Sequence, residues 1–118
     1  MPKNHLMNLW HMQLHPTGAT TWTAEDTRHI VATGYIGCSG KVVQTFGKLL
    51  VGDLVLVRYG AQVVALVAVE DTPRLLRDYE KHPLHWFTHG CRVKPLAYYD
   101  NLKIGGRGWY LPTTLQQI

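Results

Sequence analysis

Val51 to Glu70 reads VGDLVLVRYGAQVVALVAVE, two apolar runs around a tight turn. Gly52-Asp53 opens the first run, Leu54 to Val57 fills it, and Tyr59-Gly60-Ala61-Gln62 separates it from Val63 to Val69. Valine and leucine fall on both parities, the pattern of strands covered on both faces. Branched residues and a glycine-containing turn favour a hairpin over a continuous helix through Gly60.

Outward from this hairpin, Leu9 to Leu14 (LWHMQL) is an expected first strand. Trp10, Met12 and Leu14 share one face, and His11 and Gln13 take the other. Pro16 and Gly18 end it. Thr23 is an expected helix N-cap, with Glu25 and Asp26 in the first turn near the positive helix end, and the helix runs to about Thr33 before Gly34. Tyr35 to Gly40 (YIGCSG) is too rich in glycine for a regular element, and Lys41 to Phe46 fits a short helix or a strand. Asp71 to Pro83 reads as an exposed loop or one helical turn. Leu84 to Leu96 is a third strand candidate with a bulge at Gly90. Gly105-Gly106-Arg107-Gly108 lies in a loop, and Trp109 to Leu111 and Thr113 to Ile118 would close the sheet. The sum is a mainly β chain with flanking helices (α+β): a small barrel or curled sheet of five or six strands, in one domain over residues 1–118.

The composition suits that reading. Of 118 residues, 46% are apolar and 17% charged, which fits a folded core and not a disordered tail. Two cysteines, Cys38 and Cys91, make neither a disulfide framework nor a CxxC metal site. No run is long enough to span a membrane and the start does not read as a signal peptide, so the expected location is the cytoplasm. A net charge of +4 permits an anionic partner, nucleic acid being the commonest, but the cations form no block and the fold must gather them.

Several constellations invite chemistry. His82, His85 and His89 form the densest histidine group, yet on one strand His85 and His89 would stand roughly 13 Å apart, too far for one ion without a bend. Gly37-Cys38-Ser39-Gly40-Lys41 hints at a phosphate loop but lacks the earlier glycine and the Ser or Thr of a Walker motif; its backbone amides suit one phosphate. Cys38 or Cys91 with a histidine base would make a nucleophile, but no spacing fixes such a pair. The aromatics are richer: four Trp and six Tyr, with only two Phe. Trp22, Tyr35 and Tyr79 fall in loops or at element ends near cations, which is what base stacking requires.

In order along the chain come Trp10-His-Met-Gln-Leu-His-Pro16, Gly34-Tyr-Ile-Gly37, Gly52-Asp-Leu-Val-Leu-Val57, Ala65-Leu-Val67, Trp86-Phe87 with Arg92-Val-Lys-Pro-Leu96, and Thr114-Leu115. This series resembles the EVE-like domains of the PUA superfamily found at the N-terminus of McrB-type restriction ATPases, and the related YTH domains. The resemblance covers nearly the whole chain. It implies a β-barrel with flanking helices that takes a flipped, modified base into an aromatic pocket beside the first strand and the loop after the first helix. Carried onto this sequence, the pocket draws on Gln13, His15, Ser39, Trp22, Tyr35, Ile36 and Tyr79, with the first-strand turn at His15 to Thr17. Tyr35 or Ile36 stands where YTH domains place a tryptophan, and Trp86 matches a strand tryptophan expected to be structural. Lys41, Arg74, Arg77, Lys81 and Arg92 are the expected phosphate contacts.

The function this implies is recognition of double-stranded DNA carrying methylated or hydroxymethylated cytosine or N6-methyladenine, without catalysis, cofactor or metal. An ATPase/GTPase domain and a nuclease subunit of a restriction complex are the implied partners. The alternative is a PUA-like RNA-binding module, and a third class is a small Cys or His hydrolase on a related barrel.

Overall fold

The structure is a computed structural model that describes residues 7–16, 20–104 and 115–118. Strand β1 (Leu9–Gln13) leads to helix α1 (Ala24–Ala32) and strand β2 (Tyr35–Cys38). A 3-10 turn (Gly40–Val42) and the one-turn helix α2 (Val43–Phe46) precede the hairpin of β3 (Leu54–Tyr59) and β4 (Gln62–Val69). The two-residue β5 (Arg74–Leu75), a second 3-10 turn (Asp78–Glu80), the long β6 (His89–Tyr98) and β7 (Leu115–Gln117) complete it.

The strands run β2-β6-β4-β3-β1-β7 in one curled, barrel-like sheet, and β5 pairs with β6 beside that path. The fold is therefore mainly β with short helices. Its centre is the hairpin at residues 51–70. Gly60, at φ +60°, holds the first central position of the two-residue turn, while Ala61 keeps a negative φ; that is the II′ arrangement, whose twist matches the flanking strands. On the hairpin's outer edge β1 runs parallel to β3, from Leu9 opposite Leu54 to Gln13 opposite Arg58.

The expectation of strands sealed on both faces holds for one face only. Val55, Val57, Ala65, Val67 and Val69 are buried, whereas Leu54, Leu56, Leu66 and Ala68 are half-covered. Val57 faces Ala65 and Arg58 faces Val63, so Val64 is an extra residue, which explains three successive buried positions in β4.

Helix α1 forms where its cap places it. Thr23 Oγ1 accepts from the Asp26 amide at 3.3 Å, and Asp26 Oδ2 accepts from the Thr23 amide at 2.8 Å, a reciprocal box satisfying two otherwise orphan donors. Ile30 and Val31 enter the core, and Gly34 at φ +85° ends the helix.

Two expectations change. Tyr35–Cys38 is a regular strand, because its glycine serves packing. A Cβ on Gly37 would lie 2.7 Å from the Phe87 ring, and one on Gly90, directly opposite in β6, would lie 2.8 Å from Leu76. Gly90 is thus paired regularly and carries no bulge. The irregularity falls where Leu66 faces Ala97 and Val67 faces Pro95, leaving Leu96 as the extra residue. The third strand accordingly starts at His89, with Leu84 to Thr88 in the turn before it. Of the closing strands, Leu115–Gln117 pairs antiparallel with β1; Trp109 to Leu111, the Gly105 to Gly108 loop and Thr17 lie outside the described residues.

Two buried polar groups fasten β1 to the hairpin. Asp53, wholly buried, accepts from the Trp10 indole at 3.1 Å and from the amides of Asn8 and Leu50 at 3.1 and 3.0 Å. At the other end of β3, Arg58 is 1% exposed and donates Nε–H to His11 Nδ1 at 3.0 Å. That contact makes Nδ1 an acceptor, so His11 carries its proton on Nε2 and donates it to Gln116 Oε1 at 2.7 Å.

Replacing Asp53 with Ala strands the buried Trp10 indole and two part-buried amides and should cost about 2 kcal/mol in urea unfolding. Burial, aided by the Arg58 charge, holds the His11 pKa below its ordinary 6.5 against the opposing Gln116 bond. The unfolded chain then takes up this proton first, so His11 contributes stability above about pH 6.5 that is lost as pH falls toward the folded-state pKa. The urea midpoint should drop on acidification below that pH, and His11→Gln should flatten the drop.

Candidate nucleic-acid interface

The end of β1, the end of β2 with its following loop, and the turn before β6 enclose a cavity of about 250 Å³. Gln13, His15 and Pro16 line it from the first, Gly37 to Val42 from the second, and Trp86 and Phe87 from the third. β1 places its last residues here because it is held parallel to β3, and β2 brings Ser39 here through its pairing with β6. The volume lies just below that of most small-molecule sites, room for one small planar group.

Of the residues expected at a base pocket, Gln13, His15 and Ser39 line this cavity, and Lys41 stands at it too. Ser39 Oγ accepts from the Thr88 amide at 3.0 Å, tying the β2 loop to the turn that carries Trp86. Gln13 Oε1 accepts from the Gly60 amide at 2.6 Å and from Arg58 Nη1 at 3.0 Å. Trp22 stands behind the wall. Its Nε1–H points to Thr27 Oγ1 at 2.9 Å and Leu14 O at 3.2 Å, and its ring meets His15 and Trp86 edge-on at 6.5 and 6.1 Å. With Trp86 it lines a separate cleft of about 190 Å³ beside Asp26, His29 and His85.

The other three stand apart from the cavity. Ile36 is wholly buried in the core and offers a base no surface. Tyr35 lies opposite Arg92 in the β2–β6 ladder and packs against the core. Tyr79, 76% exposed, accepts from Arg77 Nη1 at 3.3 Å on the 3-10 turn.

Trp86 is where the sequence reading and the structure part. Assigned to a strand and to a structural role, it sits in the turn before β6, 45% exposed, while its neighbour Phe87 is 5% exposed and fills the space above Gly37. Only Trp86 departs from expectation: the strand starts three residues after it, at His89, so its ring stands in the turn. The signal available in the sequence was Pro83, a turn residue three positions before Trp86.

The basic residues divide into two groups. Arg74 forms an ion pair with Glu80, which raises the arginine pKa and lowers that of Glu80, and Lys81 lies 3.9 Å from Asp78. Lys41 and Arg92 are exposed, and their side chains have no ion pair among the described residues. Both cysteines are buried and their thiols are pushed up to about 12, chiefly by burial. At neutral pH they are protonated, a poor state for a nucleophile.

Among the described residues, no helix is long and apolar enough to cross a membrane. No protein-family model matches the sequence, and no curated protein matches it.

Trp86→Ala removes a half-exposed ring from the cavity rim and should change unfolding free energy by no more than about 1 kcal/mol. A collapse of the melting temperature would instead mark Trp86 as core.

Proposed function

We propose that this chain is a recognition domain of the EVE/PUA-like kind, and that it binds double-stranded DNA at a modified base, flipped into the cavity between β1 and the β2 loop. The observation that carries this reading is the exposed Trp86 indole on the rim of a small cavity that also holds Gln13, His15, Ser39 and Lys41. A flipped base needs a π surface to replace the lost stacking, polar groups for its edge, and a cation near its phosphate, and these residues supply one of each. The wall is then Trp86, supported edge-on by Trp22, in place of Tyr35 or Ile36.

Phosphates along the strand meet Lys41 first, with Arg77 and Arg92 as further cations that hold no ion pair among the described residues. Arg74 and Lys81 would have to exchange Glu80 and Asp78 for phosphate and contribute less. The domain does no chemistry of its own in this reading. It targets a restriction complex in the cytoplasm, whose ATPase/GTPase and nuclease parts cut.

Fluorescence polarisation at fixed salt, on short duplexes that are unmodified, cytosine-methylated, hydroxymethylated or adenine-methylated, with an RNA of matched sequence, tests the proposal. One modified duplex should bind best, and Trp86→Ala should weaken it by roughly tenfold or more. Preference for the RNA would move the assignment to an RNA-binding module.

A further inference from the structure

The smaller cleft, about 190 Å³, shares Trp86 with the cavity at the end of β1 and is otherwise built from different residues. Helix α1 supplies Asp26 and His29, three positions apart and so on one face. Trp22 stands just before the Thr23 cap, and Pro83 and His85 come from the turn before β6. The walls are mostly rings. Trp22 and Trp86 stand at 83° with centroids 6.1 Å apart, and His85 leans on Trp86 at 36° and 5.1 Å. Trp22 sends its N–H inward, to Thr27 Oγ1 and Leu14 O. The positive edge of that indole is spent on the fold, and its carbon rings are left to line the cleft.

The carboxylate among these rings is Asp26. Its Oδ2 accepts from the Thr23 amide and hydroxyl, while Oδ1 has no hydrogen-bond partner among the described residues. Asp26 forms no ion pair among them, and no described Lys or Arg lines the cleft. A carboxylate beside electron-rich rings repels a phosphate and attracts a cation. A primary ammonium is a poor fit, because it is strongly hydrated and each of its three N–H groups needs an acceptor. Nor are Asp26, His29 and His85 placed to hold a metal ion together. A fully methylated ammonium carries the charge without the N–H groups, and its methyls suit ring faces.

We propose that this cleft is a binding site for a quaternary ammonium group, walled by Trp22, Trp86 and His85, with Asp26 as its counter-ion. The volume lies below that of sites for whole small molecules, so the cleft takes the trimethylammonium head and leaves the rest of the ligand outside. A free choline-type amine and a trimethylated lysine side chain share this chemistry. The site goes beyond the base-pocket reading and does not need it, since Asp26, His29 and His85 do not line that cavity.

The test is a titration of the full chain with choline chloride, against sodium chloride at equal ionic strength, followed by NMR at the indole N–H signals of Trp22 and Trp86. Choline should bind roughly tenfold more tightly than the uncharged alcohol in which carbon replaces its nitrogen. Asp26→Asn removes the charge and keeps an oxygen for the Thr23 amide; it should weaken choline severalfold and leave the alcohol unchanged. Trp86→Ala alters a half-exposed ring, should weaken choline as strongly, and keeps the test decisive if the Asn variant folds poorly. Matched peptides with lysine or trimethyllysine name the source: a trimethyllysine peptide bound more tightly than choline supports a methylated protein, and the reverse supports a free amine. Equal binding of choline and the alcohol, no choline-specific shift at either indole, or an affinity indifferent to both variants overturns the inference. Choline binding without any preference among duplexes would sink the base pocket alone, and the converse would sink the ammonium site alone.

Discussion

A guanidinium stands inside this sheet. Burying a charge is costly unless its donors find partners, and Arg58 places Nε and Nη1 by drawing on two separate pieces of chain: His11 and Gln13 of β1, and the carbonyl of Gly60 in the hairpin turn. The consequence is geometric. β1 can lie beside β3 only in the register that brings His11 to Nε, because a slip of one residue would turn His11 and Gln13 to the opposite face. Asp53 performs the same service at the other end of the strand pair, holding the Trp10 indole and two amides. Between these two anchors β1 has no freedom, and the cavity at its end inherits that rigidity.

What could be read from the residues was whatever depends on local pattern. The Thr23 cap, the Gly34 stop, the Gly60 turn and the parity of Trp10, Met12 and Leu14 are each set within a few residues, and the structure has them where the sequence indicated. What could not be read depends on contacts across the fold. Gly37 and Gly90 look like breakers until Phe87 and Leu76 are seen lying against them. Arg58 reads as a polar interruption of an apolar run, with nothing nearby to announce His11 forty-seven residues away. The cavity was legible in part: Gln13, His15 and Ser39 line it, but Trp86 reads as part of a strand from Leu84, and β6 begins only at His89, which leaves its ring in the turn.

The net charge of +4 is a similar case. Counted along the chain, the twelve Lys and Arg residues are equivalent. In the fold, Arg58 is sealed inside, and Arg28, Arg74 and Lys81 each face a carboxylate. The field an approaching polyanion meets is set by the remainder, and Lys41 places part of that remainder at the cavity.

The facing glycines have one more effect. Leu76 and Phe87 bracket the excursion that carries Tyr79, His85 and Trp86, and each end is seated over one member of a single cross-strand pair. The excursion leaves and rejoins the sheet at nearly the same place, about one strand spacing apart, in the manner of a compact surface loop whose ends nearly meet. Its base is fixed by shape, through two missing side chains, and between them Leu84 is the one further seat in the core. Such a segment behaves as a cassette held at three points: around Leu84 its exposed positions can drift, or be grafted, while the barrel beneath and the β1 side of the cavity stay as they are.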